Sequence, residues 1–136
     1  MKTNEIRRKS WVLCNGIPRR VKYVRDDGTR DSQVELFNKP NFITTAEMLE
    51  PVPLSVEIMR KNGFEVYGDD GTRYCWAGYG EDKQFDIEVS FDEENGIIRT
   101  KIDIMGWYLV TEEIRNVHQL QNIFWDFNID IEIENV

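Results

Sequence analysis

The segment from Phe85 to Ile104 constrains this chain more than any other. Phe85, Ile87, Val89 and Phe91 alternate with Asp86, Glu88 and Ser90; after Asp92-Glu93-Glu94-Asn95-Gly96, Ile98, Thr100, Ile102 and Ile104 alternate with Arg99, Lys101 and Asp103. Successive side chains on a strand face opposite ways, so this pattern predicts an antiparallel pair with one apolar and one wet face. A slip of one residue would turn every apolar side chain to water, which pins the register. Acidic outer residues of the first strand would then oppose basic ones of the second, contributing roughly 0.2–1 kcal/mol per pair.

The same period recurs elsewhere. Trp11-Val12-Leu13-Cys14, a turn at Asn15-Gly16-Ile17-Pro18 and Arg20-Val21-Lys22-Tyr23-Val24 predict a hairpin, because Asn and Gly both tolerate positive φ. The pentapeptide Asp26-Asp27-Gly28-Thr29-Arg30 recurs as Asp69-Asp70-Gly71-Thr72-Arg73. Neither copy supplies the alternating oxygens and distal bidentate carboxylate of a calcium loop, so each reads as a hairpin turn. Gly106-Trp107-Tyr108-Leu109-Val110 extends or begins a further strand, and Thr111-Glu112-Glu113 is expected to turn the chain.

Two helices punctuate the strands. Ser55 is placed to cap Val56–Asn62, with Leu54 and Met59 at hydrophobic-staple spacing, Arg60 and Lys61 in the last turn and Gly63 beyond it. Near the end, Asn116 and Gln119 have capping-box spacing, and Val117, Leu120, Phe124 and Phe127 form an apolar stripe that Asn128 can close. Ile129, Ile131 and Ile133 then alternate with Asp130, Glu132 and Glu134 as a closing strand. The expected class is α+β: a single domain over 1–136, with a mainly antiparallel curved sheet or small barrel, one short central helix and a longer C-terminal helix.

With 136 residues, 40% of them hydrophobic and 12% aromatic, the chain can bury a core without staples. Its formal charge of −8 argues against a general phosphate-binding surface and against nucleic acid as a partner. The basic residues are uneven, however: Arg7, Arg8, Lys9, Arg19, Arg20, Lys22 and Arg25 crowd the start, where they read as a solvated face. Cys14 and Cys75 lack metal spacing and read as buried thiols, with a disulfide between them left open. The N-terminus has no apolar leader and no run reaches membrane-span length, so a cytoplasmic location without membrane attachment is expected.

No residue set completes a catalytic, metal or cofactor signature. His118 has the pKa range of a proton shuttle but stands alone, and at the second position of a helix it reads as a structural histidine bonded to a neighbouring strand or turn. Tyr74, Trp76 and Tyr79, in Tyr74-Cys75-Trp76-Ala77-Gly78-Tyr79-Gly80, offer rigid amphipathic surface beside glycines and are the candidate partner-binding residues. Adjacent carboxylates such as Asp69 with Asp70 or Glu93 with Glu94 do not establish two groups facing one substrate.

Three patches carry a resemblance: Asn4-Glu5-Ile6-Arg7 leading to Trp11-Val12, Pro51-Val52-Pro53-Leu54-Ser55 leading to Gly63-Phe64, and Val117-His118-Gln119-Leu120-Gln121-Asn122. In this order the chain resembles small uncharacterised proteins of gut bacteria and their phages or mobile elements, whose pieces read N-E-L-R, P-I-P-L-T and H-Q-L-Q-N. The resemblance implies a bacterial or phage setting and an accessory role, and carries no activity. The expected function is a non-enzymatic factor that binds and modulates a host protein. Alternatives are a small hydrolase using His118 with carboxylates in an aromatic cleft, and an acidic nucleic-acid mimic built on carboxylates after Glu81.

Overall fold

A two-residue turn starts the architecture. Asn15 and Gly16 adopt φ of 51° and 77°, the mirror-image turn whose twist matches antiparallel strands. It joins β1 (Trp11–Cys14) to β2 (Ile17–Arg25), so Ile17 and Pro18 belong to the second strand rather than to the turn. The register that follows pairs Cys14 with Ile17, Leu13 with Pro18, Val12 with Arg19 and Trp11 with Arg20.

The computed structural model describes residues 1–26, 32–37, 42–67, 72–79, 85–104 and 108–136, with the backbone only at Thr72, Arg73, Tyr74, Trp76, Tyr79 and Tyr108. The fold is α+β, with two five-stranded antiparallel sheets, one of them strongly curled into a half-barrel, and two α-helices. Contacts divide it into two compact units, residues 1–53 with 116–123 and 136, and residues 54–115 with 124–135. Among the described residues no helix is long and apolar enough to cross a membrane.

In the first unit the strand order is β4-β3-β2-β1-β5, with β3 at Gln33–Leu36, β4 at Ile43–Thr45 and β5 at Glu50–Pro51. Val12, Val21, Val34 and Leu36 are buried on one face, as their shared parity requires. A register shift lies between Val21 and Tyr23. The row Tyr23, Glu35 and Ile43 crosses β2, β3 and β4, and both Tyr23 and Ile43 are 56% exposed.

In the second unit the order is β10-β9-β8-β7-β6, with β6 at Glu65–Tyr67, β7 at Thr72–Tyr79, β8 at Phe85–Asp92, β9 at Ile97–Ile104 and β10 at Tyr108–Ile114. The expected alternation holds: Ile87, Val89, Phe91, Thr100 and Ile102 are buried. On the outer face Glu88 opposes Lys101 and Ser90 opposes Arg99, while Asp86 meets Asp103 rather than a base. Thr111-Glu112-Glu113 does not turn the chain. It continues β10 to Ile114, and charged residues are tolerated there because β10 is an edge strand.

Helix α1 (Val56–Lys61) starts at Ser55, whose Oγ accepts the Ile58 N–H at 3.2 Å. It ends with Gly63 at φ 85°, Gly63 N–H on the Arg60 carbonyl and Phe64 N–H on the Met59 carbonyl, the paired bonds of a Schellman stop. Helix α2 (Val117–Asp126) opens with the Asn116 N–H donated to Gln119 Oε1 at 2.9 Å, the half of the capping box expected from spacing. It closes the same way as α1, with Asn128 at φ 55° and the Ile129 N–H on the Phe124 carbonyl at 2.7 Å.

After α2 the isoleucines alternate in burial, Ile129 and Ile133 inside and Asp130, Glu132 and Glu134 outside, but residues 129–136 form no strand. Backbone partners come instead from one side chain. Asn62 Oδ1 accepts the Glu134 and Asn135 N–H groups, and its Nδ2 donates to the Ile58 and Asn135 carbonyls. The repeated pentapeptide falls largely on residues 27–30 and 69–71, outside the described residues; the chain flanking each copy pairs antiparallel, Arg25 with Gln33 and Tyr67 with Tyr74.

Candidate functional site

Three of the basic residues near the start, Lys9, Arg19 and Arg20, read from sequence as part of a solvated face, line a cleft in the first unit. It measures about 330 Å³ and is lined by Lys9, Trp11, Pro18, Arg19, Arg20 and Phe37. That is the low end of small-molecule pockets, room for a side chain or two rather than a cofactor.

The hairpin register places Arg20 directly opposite Trp11, and its guanidinium carbon lies 5.5 Å from the ring centroid. Such a contact fixes the guanidinium plane without neutralising it. Arg20 Nε also donates a long bond, 3.4 Å, to the Lys9 carbonyl. Arg19 has the opposite parity, that of the core residue Val21, so its side chain runs toward the buried side at the end of the sheet. Its Nε is buried and has no hydrogen-bond partner.

Charge compensation separates these two from their neighbour. Lys22 pairs with Glu35 at 3.6 Å, whereas neither Arg19 nor Arg20 makes an ion pair among the described residues. By composition the first unit carries ten Lys and Arg against seven Asp and Glu, net +3; the second carries seven against eighteen, net −11. The cleft is a positive spot on an acidic chain, with a reach limited to roughly 8–10 Å by salt screening.

A buried amide holds the cleft's rim. Gln121 of α2, 3% exposed, accepts the Trp11 N–H at Oε1, 3.0 Å, and donates from Nε2 to the Lys9 carbonyl, 3.1 Å. Lys9 itself has φ 72°, a left-handed conformation that costs a non-glycine residue roughly 1–2 kcal/mol. Its N–H is on the Val21 carbonyl, and the Arg7 N–H on Ser10 Oγ closes the same turn.

The other candidates fare differently. In β7, Tyr74 is opposite Ser90, Trp76 opposite Glu88 and Tyr79 opposite Phe85; their side chains, and Gly80, lie outside the described residues. Cys14 and Cys75 are both free, so no disulfide forms. Burial pushes the Cys75 thiol up to about 11, against a smaller opposing pull from Arg60, which keeps it protonated and unreactive at neutral pH. Among the described residues no group of three or more His, Cys, Asp or Glu is placed to hold a metal ion.

His118 is 4% exposed, and its Nδ1 is buried without a hydrogen-bond partner, so the expected bond to a strand or turn is not made there. Desolvation by burial lowers its pKa below 6.5, with the Glu5 carboxylate pulling the other way and the N-terminal ammonium reinforcing the drop. The unfolded chain therefore binds a proton near pH 6.5 that the folded chain refuses. Stability is full above that pH and falls as pH drops from there toward the lower folded-state value. Urea midpoints from pH 7.5 to 5 should fall more steeply for the wild type than for His118→Gln; parallel lines would contradict this account.

The contact between Trp11 and Arg20 follows from the length of the hairpin turn. A two-residue Asn15-Gly16 turn alone implies that Trp11 meets Arg20; the four-residue turn expected from Asn15–Pro18 would have paired Trp11 with Lys22. Gln121 left no signal, because its partners are 110 and 112 residues away. The chain matches no protein-family model, no curated protein and no solved structure.

Proposed function

We propose that this chain is a non-enzymatic protein-binding factor that holds an anionic group of its partner in the Trp11–Arg20 cleft. The observation that carries the reading is Arg20, which makes no ion pair among the described residues and whose guanidinium lies over Trp11 in a concave site that Lys9, Pro18, Arg19 and Phe37 also line. A charge-assisted hydrogen bond to such a group contributes about 1.5–3 kcal/mol. The resemblance to phage and mobile-element proteins adds the suggestion that the partner is a host protein and the role accessory.

Two observations favour this over the alternatives. A hydrolase built on His118 needs the ring at a substrate, and the ring is buried. A nucleic-acid mimic needs a continuous acidic stripe, and the outer face of β8, β9 and β10 interleaves Glu88, Lys101, Arg99 and Glu113.

Affinity capture from host lysate with the wild type and with the Arg19→Glu/Arg20→Glu double variant tests the proposal. One protein should be enriched by the wild type and reduced at least about tenfold by the variant, given the energies above. Equal recovery on both, with both folded by circular dichroism, would overturn the cleft as the contact. No enrichment together with turnover in an ester and glycoside screen would replace binding by hydrolysis.

A further inference from the structure

We propose that the free edge of β10 is a docking site for an extended, basic segment of a partner protein, which adds to the second sheet as an antiparallel strand. This goes beyond the cleft, since β10 belongs to the second unit and the cleft to the first. Of the four strands that end a sheet, β4, β5 and β6 run three, two and three residues, and shortness alone keeps such edges from recruiting another chain. β10 runs seven residues, in unbroken register with β9 from Tyr108 to Ile114.

Half of the N–H and C=O groups of such a strand point away from its neighbour, and among the described residues no strand takes those of β10. The strand has no proline, no lysine and no bulge, so its one guard is charge of a single sign, Glu112 and Glu113. Both are exposed, and neither makes an ion pair among the described residues, although Arg99 stands opposite Glu113. Leu109, 54% exposed, and Val110, half-buried, leave the other end of the edge apolar.

Residues paired across an antiparallel ladder share a face, so Glu112 and Glu113, one on each side of the sheet, each meet a partner residue of their own. Read from its N-terminus, the added strand therefore carries two consecutive basic residues opposite Glu113 and Glu112, one residue opposite Thr111, and two apolar residues opposite Val110 and Leu109. A second copy of this chain does not fit. Two-fold pairing about Thr111 sets Glu113 against Leu109 and Glu112 against Val110, and brings together two units with seven Lys and Arg against eighteen Asp and Glu in each.

The test titrates the full chain with four capped peptides: Thr-Lys-Lys-Thr-Val-Val-Thr, the same sequence reversed, its counterpart with Glu for Lys, and a form with proline for both valines. Binding is followed by NMR, together with hydrogen exchange at the β10 amides. The first peptide should bind at least about tenfold tighter than its Glu counterpart and slow exchange at alternate amides of the strand. Glu112→Lys/Glu113→Lys should reverse that preference; if this variant fails to fold, Glu112→Gln/Glu113→Gln should abolish it.

Equal affinity for the Glu peptide would overturn the charge match, and equal affinity for the reversed or the proline peptide would overturn strand addition in this register. Protection of β10 that grows with protein concentration in the absence of peptide would make the occupant a second copy. Binding without protection of β10, or no binding of any peptide, would bring the proposal down as well. Each of these results leaves the Arg20 cleft untouched, because none of the measurements reads it.

Discussion

Replacing Phe124 by alanine is expected to cost about 3–5 kcal/mol, the range for removing a fully enclosed aromatic ring from a core. Phe124 is 0% exposed and stacks on Phe64 with centroids 6.4 Å apart and planes 8° from parallel. Parallel offset rings add roughly 0.5–1.5 kcal/mol beyond the area they bury. The position is unforgiving for a second reason, since the Phe124 carbonyl takes the Ile129 N–H that stops α2, so the residue ties the stop to the core. Thermal unfolding should shift down by roughly 10–20 °C for a chain of this size. A loss below about 1 kcal/mol would mean that the surroundings close over the cavity and that Phe124 is not a keystone of its unit.

The second large effect should come from Gln121→Met, which keeps the side chain's length and removes its amide. The Trp11 N–H would lose its partner, and the Lys9 carbonyl would keep only the long bond from Arg20 Nε. Leaving the Trp11 N–H unmet costs about 1–3 kcal/mol and weakening the acceptance at Lys9 adds about 1 kcal/mol, so a total of about 2–4 kcal/mol is expected in denaturant unfolding. Gln121→Glu separates the halves, because a carboxylate can still accept from Trp11 but cannot donate to Lys9. Hydrogen exchange at the Trp11 amide should accelerate in Gln121→Met and far less in Gln121→Glu. A near-neutral Gln121→Met would show that water or a neighbour replaces the amide.

These two residues also mark what could be read in advance. Phe124 fell on the apolar stripe of α2, and the stripe needed nothing but periodicity. Gly63 and Asn128 were recognisable as stops because a left-handed residue after a helix has few alternatives. The isoleucines at 129, 131 and 133 misled, because alternation reports alternating burial and says nothing of a neighbouring strand; Asn62 supplies the backbone bonds instead. Thr111-Glu112-Glu113 misled for the complementary reason, since the unpaired side of an edge strand accepts residues that a central strand would reject.

The cleft was half legible. Arg19 shares the parity of Val21, and a cation in step with buried residues is a local conflict that marks a site; read as part of a charge run, it vanished into composition. The arrangement of Lys9, Trp11 and Gln121 was beyond reach, because it depends on a contact spanning most of the chain.

That long contact has a consequence for how the protein is made. The amide that satisfies Lys9 and Trp11 belongs to residue 121, so the N-terminal hairpin leaves the ribosome with its rim unfinished. At about 5–20 residues per second, the stretch from residue 53 to 123 takes on the order of 4–14 s to synthesise. Throughout that interval the Trp11 N–H and the Lys9 carbonyl lack the amide that later bonds them. The hairpin can therefore form early, but its rim is completed only once α2 has been made.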